Sequence, residues 1–171
     1  MSAFVFDDCI FSKKLKAECD RQGLVNTQRL QDDLRGEGDE RIIPAVVGQG
    51  SVLVTEDRKI AEENAECLSR GHPGLVVVAS EDRTRTLTDE LVRAILDKFK
   101  SVFPNWHYIT IRNSIVEITQ HTVLVWHAAG SKLDYDYHVA LDDPRMPEAI
   151  LGVLSRNASR LGPRALPDDN Q

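Results

Sequence analysis

The sequence has little cysteine. Cys9, Cys19 and Cys67 are an odd count in 171 residues and show no CxxC spacing. This argues against a disulfide framework or a thiolate zinc site and fits reduced thiols in a cytoplasm. No apolar run approaches membrane-spanning length, and the first residues lack a basic segment followed by an apolar one. No membrane partner and no export are expected. Net positive charge is also missing: 21 Lys and Arg stand against 27 Asp and Glu, a formal charge of −6. Bulk attraction to nucleic acid is therefore disfavoured, and any polyanion site has to be a local basic patch. No internal repeat is present. His72, His107, His121, His127 and His138 have no metal-ligand spacing and read as structural. Ser51, Thr55 and Ser80 stand in no nucleophile elbow, so covalent catalysis has no support.

What is present is a β-α pattern. Ala3 to Phe6, Val52 to Val54 and Leu75 to Ala79 are short apolar runs of the kind that form parallel strands buried on both faces. Phe11, Leu15 and Cys19 are spaced for one helix face between Cys9 and Gln22, which Gly23 closes. Leu24-Val25 reads as a short strand followed by irregular chain. Ile42, Ile43, Val46 and Val47 form a helical stripe, and Pro44 pushes the expected helix start from Asp39 towards Ile42. Ile60, Asn64, Cys67 and Leu68 share the face of one further helix, closed by Gly71. Thr88 opens the clearest helix, with Asp89 and Glu90 in its first turn, an apolar face from Leu91 to Phe103, and Pro104 as its stop.

The pattern then changes. Trp106 to Arg112, Ile115 to Thr119, Val123 to Ala128 and Leu133 to Leu141 read as an antiparallel extension, with turns at Asn113-Ser114 and Gly130-Ser131. Residues 142–161 carry Ile150, Val153, Leu154, Ala158 and Leu161 at helical spacing, a helix that either packs on the domain or meets a partner. The Pro-, Asp- and Asn-rich residues 162–171 read as a disordered tail. The expected architecture is α/β: a central, mostly parallel sheet flanked by helices over residues 1–141, then the final helix.

The chemistry concentrates in acids at strand ends and helix starts. Phe4-Val5-Phe6 runs into Asp7-Asp8, Gly38 into Asp39-Glu40, and Val52-Leu53-Val54-Thr55 into Glu56-Asp57. Ligands gather outside the carboxyl ends of parallel strands, and crowded carboxylates require a cation between them. Hard oxygen donors without His or Cys suit Mg²⁺ or Mn²⁺, which orients water and neutralises a phosphate. Any one such pair is also an ordinary helix cap. Asp82 is the candidate for a fourth acid. Around this edge Lys13, Arg41, Arg58, Lys59, Arg83 and Arg85 offer local positive charge, Arg58 foremost because it adjoins Asp57. Trp106, Tyr108 and Trp126 have the rings to stack bases, although strand aromatics usually serve a core.

Taken together, Phe4-Val5-Phe6-Asp7-Asp8, then Gly38-Asp39-Glu40-Arg41-Ile42-Ile43, then Val52 to Ile60 and Gly74 to Val78, resemble a PIN-like domain over residues 3–128. The likeness is to short prokaryotic PIN-like proteins with an acid after the first strand, an acid opening a helix, and Thr-x-Asp after a later strand. It implies a Mg²⁺- or Mn²⁺-dependent endoribonuclease, often the toxin of a toxin-antitoxin pair. Asp7, Asp39 and Asp57 are then the catalytic metal ligands, with Asp8 and Glu56 assisting and Arg58, Lys59 and Lys13 on the substrate. RNA is the implied partner, with an antitoxin or a second copy as protein partner. Cys9 stands where the family places Asn. That departure keeps open a second reading, a catalytically inactive PIN-like module that binds protein or RNA. A third, a phosphoacceptor switch, needs a lone Asp after the third strand and a Lys after the fifth. The sequence supplies Glu56-Asp57 and no such Lys.

Overall fold

Two runs of mostly branched apolar residues, Val52-Leu53-Val54-Thr55 and Leu75-Val76-Val77-Val78, set the centre of the molecule. Each forms a strand buried at every position, which requires cover on both faces of the sheet. The computed structural model describes residues 4–7, 17, 27–29, 39–82, 88–102 and 111–160. In chain order these form β1 (Phe4–Phe6), β2 (Thr27–Arg29), α1 (Asp39–Gly48), β3 (Val52–Thr55), α2 (Lys59–Glu63), α3 (Ala65–Ser69) and β4 (Leu75–Val78). There follow α4 (Asp89–Val102), β5 (Ile115–Ile118), β6 (Thr122–Ala129), β7 (Lys132–Ala140) and α5 (Met146–Ala158).

The protein is α/β, with one open mixed sheet in the order β2-β1-β3-β4-β5-β6-β7. The strands from β2 to β5 pair in parallel, and β6 and β7 add antiparallel. Because side chains alternate across a strand, the two faces carry separate cores. One gathers Val5, Leu53, Leu75, Val77 and Ile115 with Ile42, Ile43 and Val46 of α1, Ile60 of α2 and Leu68 of α3. The other gathers Val52, Val54, Val76, Val78, Val116 and Ile118 with α4 and α5. Thr88 starts α4 as a cap: its hydroxyl accepts from the Leu91 amide at 3.2 Å and its carbonyl from Val92 at 2.9 Å.

The last helix packs on the domain. Met146, Ile150, Val153 and Leu154 are buried against Val123, Val139 and Leu141, each such side chain contributing roughly 1.5–3 kcal/mol by leaving water. A polar stitch fixes its far end. Asn157 donates from Nδ2 to Asp136 at 3.0 Å and to the Ser114 hydroxyl at 3.1 Å, and Asp136 also pairs with His127 Nδ1 at 2.9 Å. Asp136 reaches these partners from a bulge, since Val125 pairs with Tyr137 and Trp126 with Tyr135, leaving it the extra residue.

Four local expectations change. The helix starts at Asp39 rather than near Ile42, and exposed Pro44 stands inside it. Proline there removes one hydrogen bond, while Ile42, Ile43 and Val46 still reach the core. The helix expected from Ile60 to Leu68 is two short ones, broken at Asn64 (φ −115, ψ 18), whose Nδ2 donates to the Ile60 carbonyl at 2.8 Å. The edge strand is the polar Thr27-Gln28-Arg29, held by its ladder to β1, whereas Leu24 and Val25 lie outside the described residues. Ile111 and Arg112 belong to a turn rather than a strand, with Asn113 at φ 61 directing the chain into β5. Trp106, His107, Tyr108, the residues between Cys9 and Gln22 other than Ala17, Phe103, Pro104 and residues 161–171 also lie outside the description.

Candidate functional site

The order β2-β1-β3 makes β1 the point from which the chain winds in both directions, and the crevice of such a sheet opens at the carboxyl ends of β1 and β3. Asp7 and the Thr55-Glu56-Asp57 segment leave the sheet there. The Asp7 amide extends the parallel ladder by one bond, to the Val54 carbonyl at 2.9 Å, which sets Asp7 beside Thr55. The fully buried Thr55 hydroxyl then donates to Asp7 Oδ2 at 2.9 Å. The Thr55 hydroxyl oxygen in turn accepts from the Asp57 amide at 3.1 Å. One hydroxyl thus joins the two acid-bearing strand ends.

Asp57 is exposed, and its Oδ1 accepts from the Lys59 amide at 2.9 Å, the capping role that acids after strands commonly take. One accepted bond does not exhaust the lone pairs of a carboxylate. Glu56 is half-buried just past the strand. Asp39 is the first residue of α1, which ends at Gly48 immediately before β3 and packs against it. The helix therefore runs back over β3, which puts its Asp39 end at the carboxyl edge of the sheet. The side chains of Asp39 and Glu40, like Asp8, Cys9, Lys13, Arg83 and Arg85, lie outside the description.

The neighbouring strand ends close the rim. Glu81 and Asp82 are exposed after β4; Glu81 accepts from the Thr119 hydroxyl at 3.0 Å, and its amide donates to Gln120 Oε1 at 3.0 Å. The position after β5 is thus Thr119-Gln120, with no lysine, and the phosphoacceptor reading lacks its cation. Among the described residues no group of three or more His, Cys, Asp or Glu side chains is close enough to hold a metal ion. Asp7 and Asp57 are tied to the same hydroxyl, Asp7 through its carboxylate and Asp57 through its backbone amide.

The basic residues divide. Lys59 is exposed at the rim. Arg58 turns along the sheet and forms an ion pair with Glu117 of β5, a carboxylate whose side chain is only 7% exposed. Register aligns Thr55 with Val77 and Val77 with Glu117, so one row across the sheet leads from the acid edge to this pair. A pocket of about 400 Å³ opens there, lined in part by Arg58, Lys59, Glu117, Val77, Ile115 and Trp126. Glu117 was not singled out from the sequence. Its signal was a lone charge inside Ile115-Val116-Glu117-Ile118, a strand buried at all four positions. No helix among the described residues is long and apolar enough to cross a membrane. No family model matches the chain, and neither a curated protein nor a solved structure matches it.

Proposed function

We propose that the carboxyl edge of β1 and β3 is the centre of a Mg²⁺- or Mn²⁺-dependent endoribonuclease of the PIN-like type. The observation that carries the reading is the Thr55 hydroxyl bonded to both Asp7 Oδ2 and the Asp57 amide. It locks a Thr-x-Asp turn against the acid of the first strand. Asp7 and Asp57 hold the ion, Asp39 and Asp8 complete the set by resemblance, and Glu56 assists. Thr55 positions Asp7. When bound, the divalent ion supplies water activation and charge neutralisation at phosphorus. Lys59 and Lys13 attract the RNA backbone locally against the net negative charge.

In this reading the protein works in the reducing cytoplasm, in keeping with the unpaired Cys67, as the toxin of a toxin-antitoxin pair. The test is incubation of purified protein with a varied RNA pool in Mn²⁺. Cleavage is expected, with loss in EDTA and in Asp57→Asn. RNA retention with no cleavage in any divalent ion would replace the enzyme by the inactive binding module.

A further inference from the structure

We infer that the pocket between α2 and the β5-β6-β7 part of the sheet binds a free aromatic α-amino acid, its side chain against Trp126 and its two backbone charges on Lys59 and Glu62. The floor is apolar, from Val77 and Ile115, Leu133 adds to the apolar lining, and one wall is the half-buried Trp126 ring. Tyr135 braces that ring edge-on, at a centroid distance of 5.2 Å and 76° between planes, so it offers a fixed flat surface to a second ring. At about 400 Å³ the pocket falls within the size range of small-molecule sites.

The charged part of the lining is Arg58, Lys59, Glu62 and Glu117. Arg58 and Glu117 form an ion pair with each other, so neither is open to a ligand's charge. Lys59 and Glu62 remain. Three positions apart in α2, they stand on one side of the helix, both exposed, and among the described residues neither side chain has an ion-pair partner. Two free charges of opposite sign decide the charge of the ligand. An anion such as a nucleotide is drawn to Lys59 and repelled by Glu62, and a simple cation meets the reverse. A zwitterion satisfies both. The ammonium and carboxylate of an α-amino acid stand on one carbon, within reach of two long side chains one helical turn apart, and an aromatic side chain then covers the apolar floor and lies on the Trp126 ring. The inference goes beyond the nuclease reading and does not rest on it.

The experiment is equilibrium binding of phenylalanine, phenethylamine, 3-phenylpropionate and glycine to the full-length protein in EDTA, by calorimetry. Phenethylamine lacks the carboxylate, 3-phenylpropionate lacks the ammonium and glycine lacks the side chain. Phenylalanine is expected to bind at least about threefold tighter than either single-charge analogue and at least about tenfold tighter than glycine. Glu62→Gln is expected to erase the margin over 3-phenylpropionate and keep that over phenethylamine, and Lys59→Gln to do the reverse. Both side chains are exposed, so neither substitution touches the core. Should a variant nevertheless fail to fold, the ligand series on the unaltered protein decides. A smaller margin over any of the three analogues would overturn the inference, as would no binding of phenylalanine at millimolar concentration. Because RNA and divalent ions are absent, no outcome depends on whether the protein cleaves RNA.

Discussion

Thr55 and Asp7 are 48 residues apart in the chain and joined by one hydrogen bond of 2.9 Å, from a buried hydroxyl to a half-buried carboxylate. The threonine cannot be replaced by its isostere without loss. Thr55→Val keeps the shape and removes the donor to Asp7 and the acceptor of the Asp57 amide. A cost of about 1–2 kcal/mol is expected in urea unfolding, together with a smaller rise in melting temperature on adding Mn²⁺. A variant as stable as the parent and equally stabilised by Mn²⁺ would show that Thr55 positions nothing.

The ion itself is open to a direct measurement. If acids share a cation, saturating Mn²⁺ raises the melting temperature by linkage, and Asp57→Asn abolishes the rise. An unchanged melting curve of the unaltered protein would remove the metal site.

Gly74 controls the entry to β4. It sits at φ 136, and a Cβ there would stand 2.3 Å from Ile111 Cγ1 and 3.0 Å from the Ile111 carbonyl oxygen. Gly74→Ala combines a backbone conformation that L-residues avoid with an overlap in the core. The expected loss is roughly 2–4 kcal/mol, read from the urea midpoint. Gly130→Ala is the control, because φ 63 strains it while open space surrounds it, and it is expected to cost less.

His72 makes stability depend on pH. It is 4% exposed, and neither ring nitrogen has an aligned hydrogen-bond partner among the described residues. Burial lowers its pKa from 6.5 to about 4, with the Gly74 backbone opposing the shift only in part. The unfolded chain then binds the proton more readily than the folded one. The contribution is complete above about pH 6.5, declines as pH falls towards 4 and levels off below, with a span of roughly 3 kcal/mol at most. His72→Leu is expected to flatten the urea-midpoint profile across that window. An unchanged profile would mean that the imidazole is already free to protonate in the native state.

Asp136 holds the end of α5. Asp136→Ala deprives His127 Nδ1 and Asn157 Nδ2 of a buried acceptor, with an expected cost of about 2–4 kcal/mol. A double-mutant cycle with Asn157→Ala is expected to show coupling of about 1 kcal/mol or more. Strict additivity would mean that the two residues act separately.

How much of this was legible in the sequence follows from which forces are local. Val52 to Thr55 and Leu75 to Val78 declare buried parallel strands because every position is apolar or small, and the amphipathic stripe of α4 declares its helix by period alone. Thr27 to Arg29 declares nothing, because its polar residues carry no apolar pattern and what defines the strand is a backbone ladder to β1. The candidate acids were visible as strand-terminal pairs. That Asp7 and Asp57 meet at one hydroxyl depends on β1 lying beside β3, a pairing that no local pattern encodes.

By itself, then, the sequence determined the alternation of strands and helices and the acids at their ends, since period and propensity act over a few residues. Only the tertiary structure decided that Thr55 joins two acid-bearing turns, that Arg58 turns to Glu117 rather than standing over the acid edge, and that α5 covers the sheet. Those outcomes rest on strand order and on the burial of charge, which come into being only when distant segments exclude water together.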